Sequence, residues 1–383
     1  MAKRIIFAVT NDLVYDQRMQ RICGSMANAG YVVTLVGREM PGSPPLAPMP
    51  FHQVRLPLKY AKGKMFYFEY NYKLYQFLMA QDANALCAID LDTIVPIYMA
   101  SHKKGLPRMY DAHEFFSEMI EVKRRWHIHF FWKSIEKWMI PRFKHGYTVG
   151  SAIASEFKKL YGVEYALVRN MPLFIANQPH TLPEKARKVL LELDQRTNPT
   201  LPIILYQGAI NEGRALPQLV TAMTMVNARL LMAGTGNMYE EIRQSIRQQG
   251  LESKIFMCGN VPPADLRPLT TCCYAGITIF DAFSKNQLFS LGNKFFDYIM
   301  AQTPQVCVNY PEYATILKDY EVAVPLENTN PISIANCLNK LIEDPVLHEK
   351  LKKNCIEASL KLNWESEEKT LLGTWEKLLG PGN

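Results

Sequence analysis

The sequence predicts an α/β protein built of two doubly wound parallel-sheet domains facing a cleft. Two observations carry this. Short runs that are apolar on both faces alternate with amphipathic helical stretches, and the alternation starts afresh near residue 200. Strands of that kind belong to parallel sheets covered by helices on both sides. At 383 residues the chain is also too long for one ordinary core and long enough for two.

Residues 5–10 read as a buried strand. A helix follows in which Met19, Ile22, Cys23, Met26 and Ala27 recur at helical spacing, closed by Gly30. Residues 31–36 form the next strand. The run 85–89 ends in Asp90-Leu91-Asp92, and 106–111 ends in Asp111-Ala112-His113-Glu114. A short strand at 147–150 leads to Ser151 as the cap of a helix over 152–160. Residues 166–169 lead out of a first domain spanning 1–172. A linker region at 173–199 carries a helix near 185–194. The second domain, 200–362, has strands at 203–207, 228–233, 254–258, 275–280, 305–308 and 321–325, with a helix over 217–226 and others between. Residues 363–383 hold a last helix striped by Leu371, Leu372, Trp375, Leu378 and Leu379. In open parallel sheets ligands collect beyond the carboxyl ends of the strands, which places the expected active site in the cleft.

Lysine and arginine exceed acidic residues by 43 to 36, too small an excess to argue for nucleic acid. The eight cysteines show no C-x-x-C pair and sit mostly in apolar runs, as expected of a reduced, cytoplasmic protein. The apolar run at 5–9 stops at Thr10-Asn11-Asp12, too soon for a secretion signal, and no run approaches the ~20 residues of a membrane span.

Three turns in the second half run from an apolar strand through small residues into a helix. The first contains Gly208, Asn211, Gly213 and Arg214: glycines allow close backbone approach, and arginine offers a forked phosphate donor. The second, Gly234-Thr235-Gly236-Asn237, is a phosphate loop or a plain tight turn. The third is Ser290-Leu291-Gly292-Asn293-Lys294-Phe295-Phe296-Asp297. A helix starting near Asn293 points amides and Lys294 at a diphosphate, and Asp297 either accepts from ribose hydroxyls or serves the helix dipole.

On these residues the second half resembles the donor domain of the retaining GT-B glycosyltransferases of family 4 (glycosyl transferases group 1), as a divergent branch. The run 207–214, Ala233 to Gly236, Phe256 with Gly259-Asn260-Val261, and Asn293 to Ile299 with Pro304 resemble its donor loops in order and spacing. The resemblance implies two Rossmann-like domains, a nucleotide-diphosphate sugar as donor, and transfer with retention to a glycan or lipid-linked acceptor. It also implies a tail helix that crosses back to the first domain. Donor contacts then fall to Gly208, Asn211, Gly213, Arg214, Gly236, Asn237, Val261, Ser290, Leu291, Gly292, Asn293, Lys294 and Asp297. His113, with Glu114, occupies the strand end where the family places a histidine near the transferred sugar. The chain departs from the family at Phe289, where a glutamate is usual, in lacking the first-loop lysine, and at 12–18, where a glycine pair is usual.

Transfer from a nucleoside diphosphate passes through an oxocarbenium-like state, so the protein must stabilise the leaving diphosphate. Arg214, Lys294 and loop amides supply this without a metal, and no cofactor is expected. Asp90-Leu91-Asp92 reads as capping or loop structure. The stretch 123–144 mixes Lys123, Arg124 and Arg125 with Trp126 and Trp132, which suits either a solvated basic helix or peripheral contact with an anionic membrane near lipid-linked acceptors. That reading sets the protein at the inner membrane face, in surface polysaccharide or glycolipid assembly. The alternatives are a nucleotide-sugar epimerase of the same fold and a catalytically degenerate nucleotide-sugar or glycolipid binder. A nicotinamide dehydrogenase lacks its G-x-G-x-x-G after the first strand.

Overall fold

The computed structural model describes residues 2–14, 16–176 and 181–381. The chain divides into two compact units. The first comprises Met1–Asn170, Ser284–Asn286 and Ser366–Asn383; the second comprises Met171–Phe283 and Gln287–Glu365.

The first unit holds β1 (Arg4–Ala8), β2 (Val32–Arg38), β3 (His52–Leu56), β4 (Ala85–Ile89), β5 (Arg108–Ala112), β6 (Gly146–Thr148) and β7 (Ala166–Leu167). They form one sheet in the order β3-β2-β1-β4-β5-β6-β7, every pair parallel. All five residues of β4 are buried, as expected of a strand covered on both faces.

The second unit holds β8 (Ile203–Gln207), β9 (Arg229–Ala233), β10 (Ile255–Gly259), β11 (Ala275–Thr278), β12 (Gln305–Val308) and β13 (Ala323–Leu326), in the order β10-β9-β8-β11-β12-β13. This is the doubly wound nucleotide-binding order, again all parallel. Ile204, Leu230, Ile277 and Val306 pack one face with the helices Leu216–Ala222 and Pro331–Glu343.

Two details differ from the sequence expectation. Residues 173–199 are more than a linker: the helix Glu184–Arg196 buries Ala186, Val189 and Leu193 against Leu205, Phe256 and Leu269 of the second unit. The helix itself falls where the sequence places one, near 185–194; only its packing against the second unit was not read there. Residues 177–180 lie outside the described residues. Ser151 is the first residue of its helix rather than the cap, which is Gly150.

All eight cysteines are free thiols. Among the described residues no helix is long and apolar enough to cross a membrane. The last helix, Trp364–Leu379, buries Trp375 completely, its ring 5.3 Å from that of Phe7 on β1.

Candidate functional site

In the second sheet the winding reverses between β8 and β11: the chain steps from β8 toward β9 and β10, and from β11 toward β12 and β13. Loops leaving neighbouring strands in opposite directions open a crevice beyond the strand ends. A groove of about 290 Å³ lies there, lined by Gly208, Gly234, Thr235, Asn260, Val261 and Leu266 among others.

Glycine makes this groove possible. Gly208 N donates to Ala233 O at 2.9 Å and Gly234 N to Gly259 O at 2.8 Å, so three loops run side by side. At Gly234, φ is +150° and a Cβ would lie 1.9 Å from the Gly208 carbonyl oxygen. At Gly236 it would lie 2.2 Å from Ile210 O. Asn211 and Asn237 lock the same loops, Asn237 N donating to Asn211 Oδ1 at 3.0 Å and Glu212 N to Asn237 Oδ1 at 3.3 Å. Gly213 accepts at its carbonyl from Asp281 N (2.9 Å), which ties the β8 loop to the loop after β11.

Lys294 lies in the first turn of the helix Asn293–Met300. Its Nζ sits 3.9 Å from the centre of the Tyr206 ring, buried and without a hydrogen-bond partner. Burial holds the amine well below its ordinary range, and the nearby Arg214 charge pushes it further down. An aromatic face only partly replaces the water a buried ammonium has lost. Gly208 lies beside it: a Cβ there would be 3.8 Å from Lys294 Cε. Gly292, at the head of the helix, gives its amide to Tyr313 Oη at 2.7 Å, Ser290 Oγ donates to Gln287 O at 2.8 Å, and Leu291 packs on the core.

Asp297, three residues beyond Lys294, accepts from Gln207 Nε2 at 3.3 Å, and Gln207 Oε1 accepts from Thr270 Oγ1 at 2.9 Å. Arg267, on the helix Pro263–Thr271, feels the Asp297 charge; burial lowers its guanidinium and its Nη1 is buried without a partner. Arg267 escaped the sequence reading. The only available signal was a basic residue one turn into the helix that follows Gly259-Asn260-Val261. The structure thus gathers the residues of all three predicted loops at one end of one sheet.

In the first unit the winding reverses between β1 and β4. Asp111, fully buried at the end of β5, contacts Arg18 Nη2 and His113 Nε2, each at 2.9 Å. Burial alone would raise its carboxyl, but Arg18 and His113 hold it below the usual carboxylate range. His113 lies 3.9 Å from Asp90 through Nδ1. Burial disfavours its charge, yet Asp111 and Asp90 outweigh it and raise the imidazole to about 9. Asp90, in the left-handed region at φ +57°, accepts from the amides of His113 (2.8 Å) and Glu114 (3.3 Å); burial raises its carboxyl to about 8. Asp92 accepts from Thr10 Oγ1 at 2.5 Å. Asp90 and Asp92 therefore organise loops, as the sequence suggested. The Glu114 carboxylate accepts from Asn286 Nδ2 at 3.0 Å, while Asn286 Oδ1 accepts from Phe115 N at 2.8 Å. Buried Arg18 was not singled out by the sequence, because its partner lies 93 residues away.

On the helix Trp126–Met139, Trp126 is exposed, but Trp132 is buried, its ring 4.9 Å from Phe116 and 5.3 Å from Tyr67. Its expected place on an outer surface is therefore corrected: it anchors the helix. Lys123 pairs with Glu118 at 3.0 Å, Arg125 Nη2 donates to Glu121 O at 3.4 Å, and Arg124 is exposed.

Two parallel sheets with flanking helices, wound in this order, are the fold of the GT-B glycosyltransferases. The chain superposes on sucrose-phosphate synthase from Thermosynechococcus elongatus with a TM-score of 0.81, at 13% identity over 98% of this chain and 99% of that one. For WaaG, a glycosyltransferase involved in lipopolysaccharide biosynthesis, the TM-score is 0.71, at 13% identity over 98% and 100%. For HepE of Anabaena, solved in complex with UDP and glucose, it is 0.74, at 12% identity over 98% and 100%. Residues 192–360 match the family model of the Glycosyl transferases group 1, a stretch that, apart from 284–286, lies in the second unit. By sequence, no curated protein matches the chain.

Proposed function

We propose that the chain is a glycosyltransferase that moves a sugar from a nucleoside diphosphate sugar to a glycan or lipid-linked acceptor, with retention and without a metal. The observation that carries this is the buried, unpartnered amino group of Lys294 beside Gly208. A diphosphate in the groove would give it the acceptor it lacks, with Arg214 and the amides at the head of the helix Asn293–Met300 completing the anion site. Asp297 would take the ribose hydroxyls. The match of residues 192–360 to a glycosyltransferase family supports the reading, as does the UDP in the structure of HepE.

In the step itself the acceptor oxygen bonds to the anomeric carbon as the bond to the diphosphate breaks. The acceptor proton passes to the departing phosphate oxygen on the same face, which retains the configuration. His113, held cationic by the ionised Asp111, is proposed to hydrogen-bond the transferred sugar. Surface polysaccharide or glycolipid assembly is the proposed setting.

The test is a thermal-shift and calorimetric screen of UDP, GDP, ADP, CMP and their sugars, with and without EDTA. One diphosphate family should raise the melting temperature equally in EDTA, and Lys294→Met should weaken that binding by about 100-fold. Absence of any shift with a folded protein would refute the donor site. A second reading, a binding protein that no longer transfers, is favoured by Phe289 in place of the family's glutamate. It predicts nucleotide binding with no consumption of donor on any acceptor.

A further inference from the structure

The helix Trp126–Met139 is apolar on its outer face as well as its inner one. Its inward face carries Trp132, Glu136 and Met139, and Glu136 is nearly inaccessible, bonded to Lys133 at 2.7 Å and to the Tyr161 hydroxyl. Its outward face carries the large aromatics: Trp126 is 79% exposed, Phe130 71%, Phe131 56% and Trp138 54%. Spacings of four and seven residues put Trp126, Phe130 and Lys137 on one line and Phe131 and Trp138 on the next. The neighbouring helix Lys64–Ala80, in contact through Tyr67 and Trp132, likewise exposes Met65, Phe68 and Tyr72. A soluble fold has no reason to turn four large rings outward on one helix while burying a carboxylate, and contiguous exposed apolar surface marks an interaction site.

Charge narrows the partner. Residues 120–144 hold seven basic and two acidic side chains, so they carry five of the seven excess positive charges of the entire chain. Lys123, Arg124, Arg125, Lys137, Arg142 and Lys144 are all exposed. Arg142 lies over the Trp138 ring with its guanidinium carbon 4.5 Å from the centre, so ring and charge present together. Aromatic rings seat at the level of lipid headgroups, and flanking cations are drawn to an anionic leaflet.

We propose that the helix Trp126–Met139 docks the protein on an anionic lipid bilayer, its aromatic face in the interface and its basic residues on the phosphates. The first unit alone supplies this surface, and the proposal does not rest on the donor site of the second.

The experiment is flotation of the full chain with vesicles of phosphatidylcholine, with and without phosphatidylglycerol. Binding should require the anionic lipid and fall with salt. The triple variant Trp126→Ser, Phe130→Ser, Trp138→Ser keeps every charge and should lose partitioning by about tenfold or more, with its melting temperature and nucleotide binding unchanged. In the unaltered protein, tryptophan emission should shift to the blue on anionic vesicles and be quenched by bromine-labelled acyl chains. Failure to float, unaltered partitioning of the triple variant, or unchanged emission would each overturn the proposal. So would a concentration-dependent dimer that the triple variant abolishes, because the face would then belong to a second copy. A chain that ignores vesicles yet binds a nucleotide would sink only this inference.

Discussion

At the scale of single residues, Lys294 states the conflict between stability and function. Its depressed amine is neutral over a range in which the unfolded chain still holds the proton, so the unfolded state binds more protons there. Stability of the free protein must therefore rise with pH through the window between the depressed value and the ordinary 10.5. Lys294→Met should remove that slope and stabilise the free protein by about 1–3 kcal/mol. A bound diphosphate restores the charged form, so binding takes up a proton and affinity falls as pH rises through the same window. Calorimetry in buffers of different ionisation heat measures the uptake directly; a binding heat independent of buffer would rule it out. The sequence showed a lysine at a helix start, aimed at a diphosphate, but not its burial. The ring it rests on belongs to Tyr206, 88 residues earlier, so its lost hydration appears only once β8 and the helix Asn293–Met300 are side by side. Arg267 and Arg18 were hidden for the same reason: their partners are contacts of the fold rather than of the neighbouring sequence.

At the scale of elements, legibility followed burial. Strands β4, β8 and β12 are buried at every residue and fall where continuous apolar runs place them. Strand β3, His52–Leu56, is an edge strand of mixed polarity and gave no such run. The helix Lys64–Ala80 buries Phe66, Tyr70, Leu74 and Leu78, yet its outer face is also aromatic, and the period is lost. The glycine loops allow a sharper test than the strands. Gly234→Ala sets a Cβ 1.9 Å from a backbone oxygen at a positive φ, whereas Gly259, also at positive φ (+72°), has nothing within 4 Å. Gly259→Ala should cost about 1 kcal/mol of backbone strain. Gly234→Ala must also push two loops apart, and should cost several times that and abolish nucleotide binding. Paired denaturation curves and binding isotherms decide it; equal costs would show that the groove does not depend on the close approach.

At the scale of the whole molecule, the chain closes on its own beginning. Trp375 packs on Phe7 of the central strand β1, the Tyr31 hydroxyl donates to Gly380 O at 2.8 Å, and Arg169 pairs with Glu367 at 3.0 Å. The core of the first unit is therefore finished by the last residues of the sequence, while the second unit's clusters are drawn from its own strands and helices. Trp375 is the largest side chain with no exposure in the molecule. Trp375→Ala should cost the first unit about 3–5 kcal/mol, or on the order of 10 °C for a unit of this size. Because that cavity lies wholly in the first unit, hydrogen exchange should quicken in β1 and β4 and stay slow in β8 and β9. Nucleotide should still protect the loop 208–214. If β8 and β9 lose protection to the same degree, the two units unfold as one cooperative block, and the last helix then holds the whole chain together.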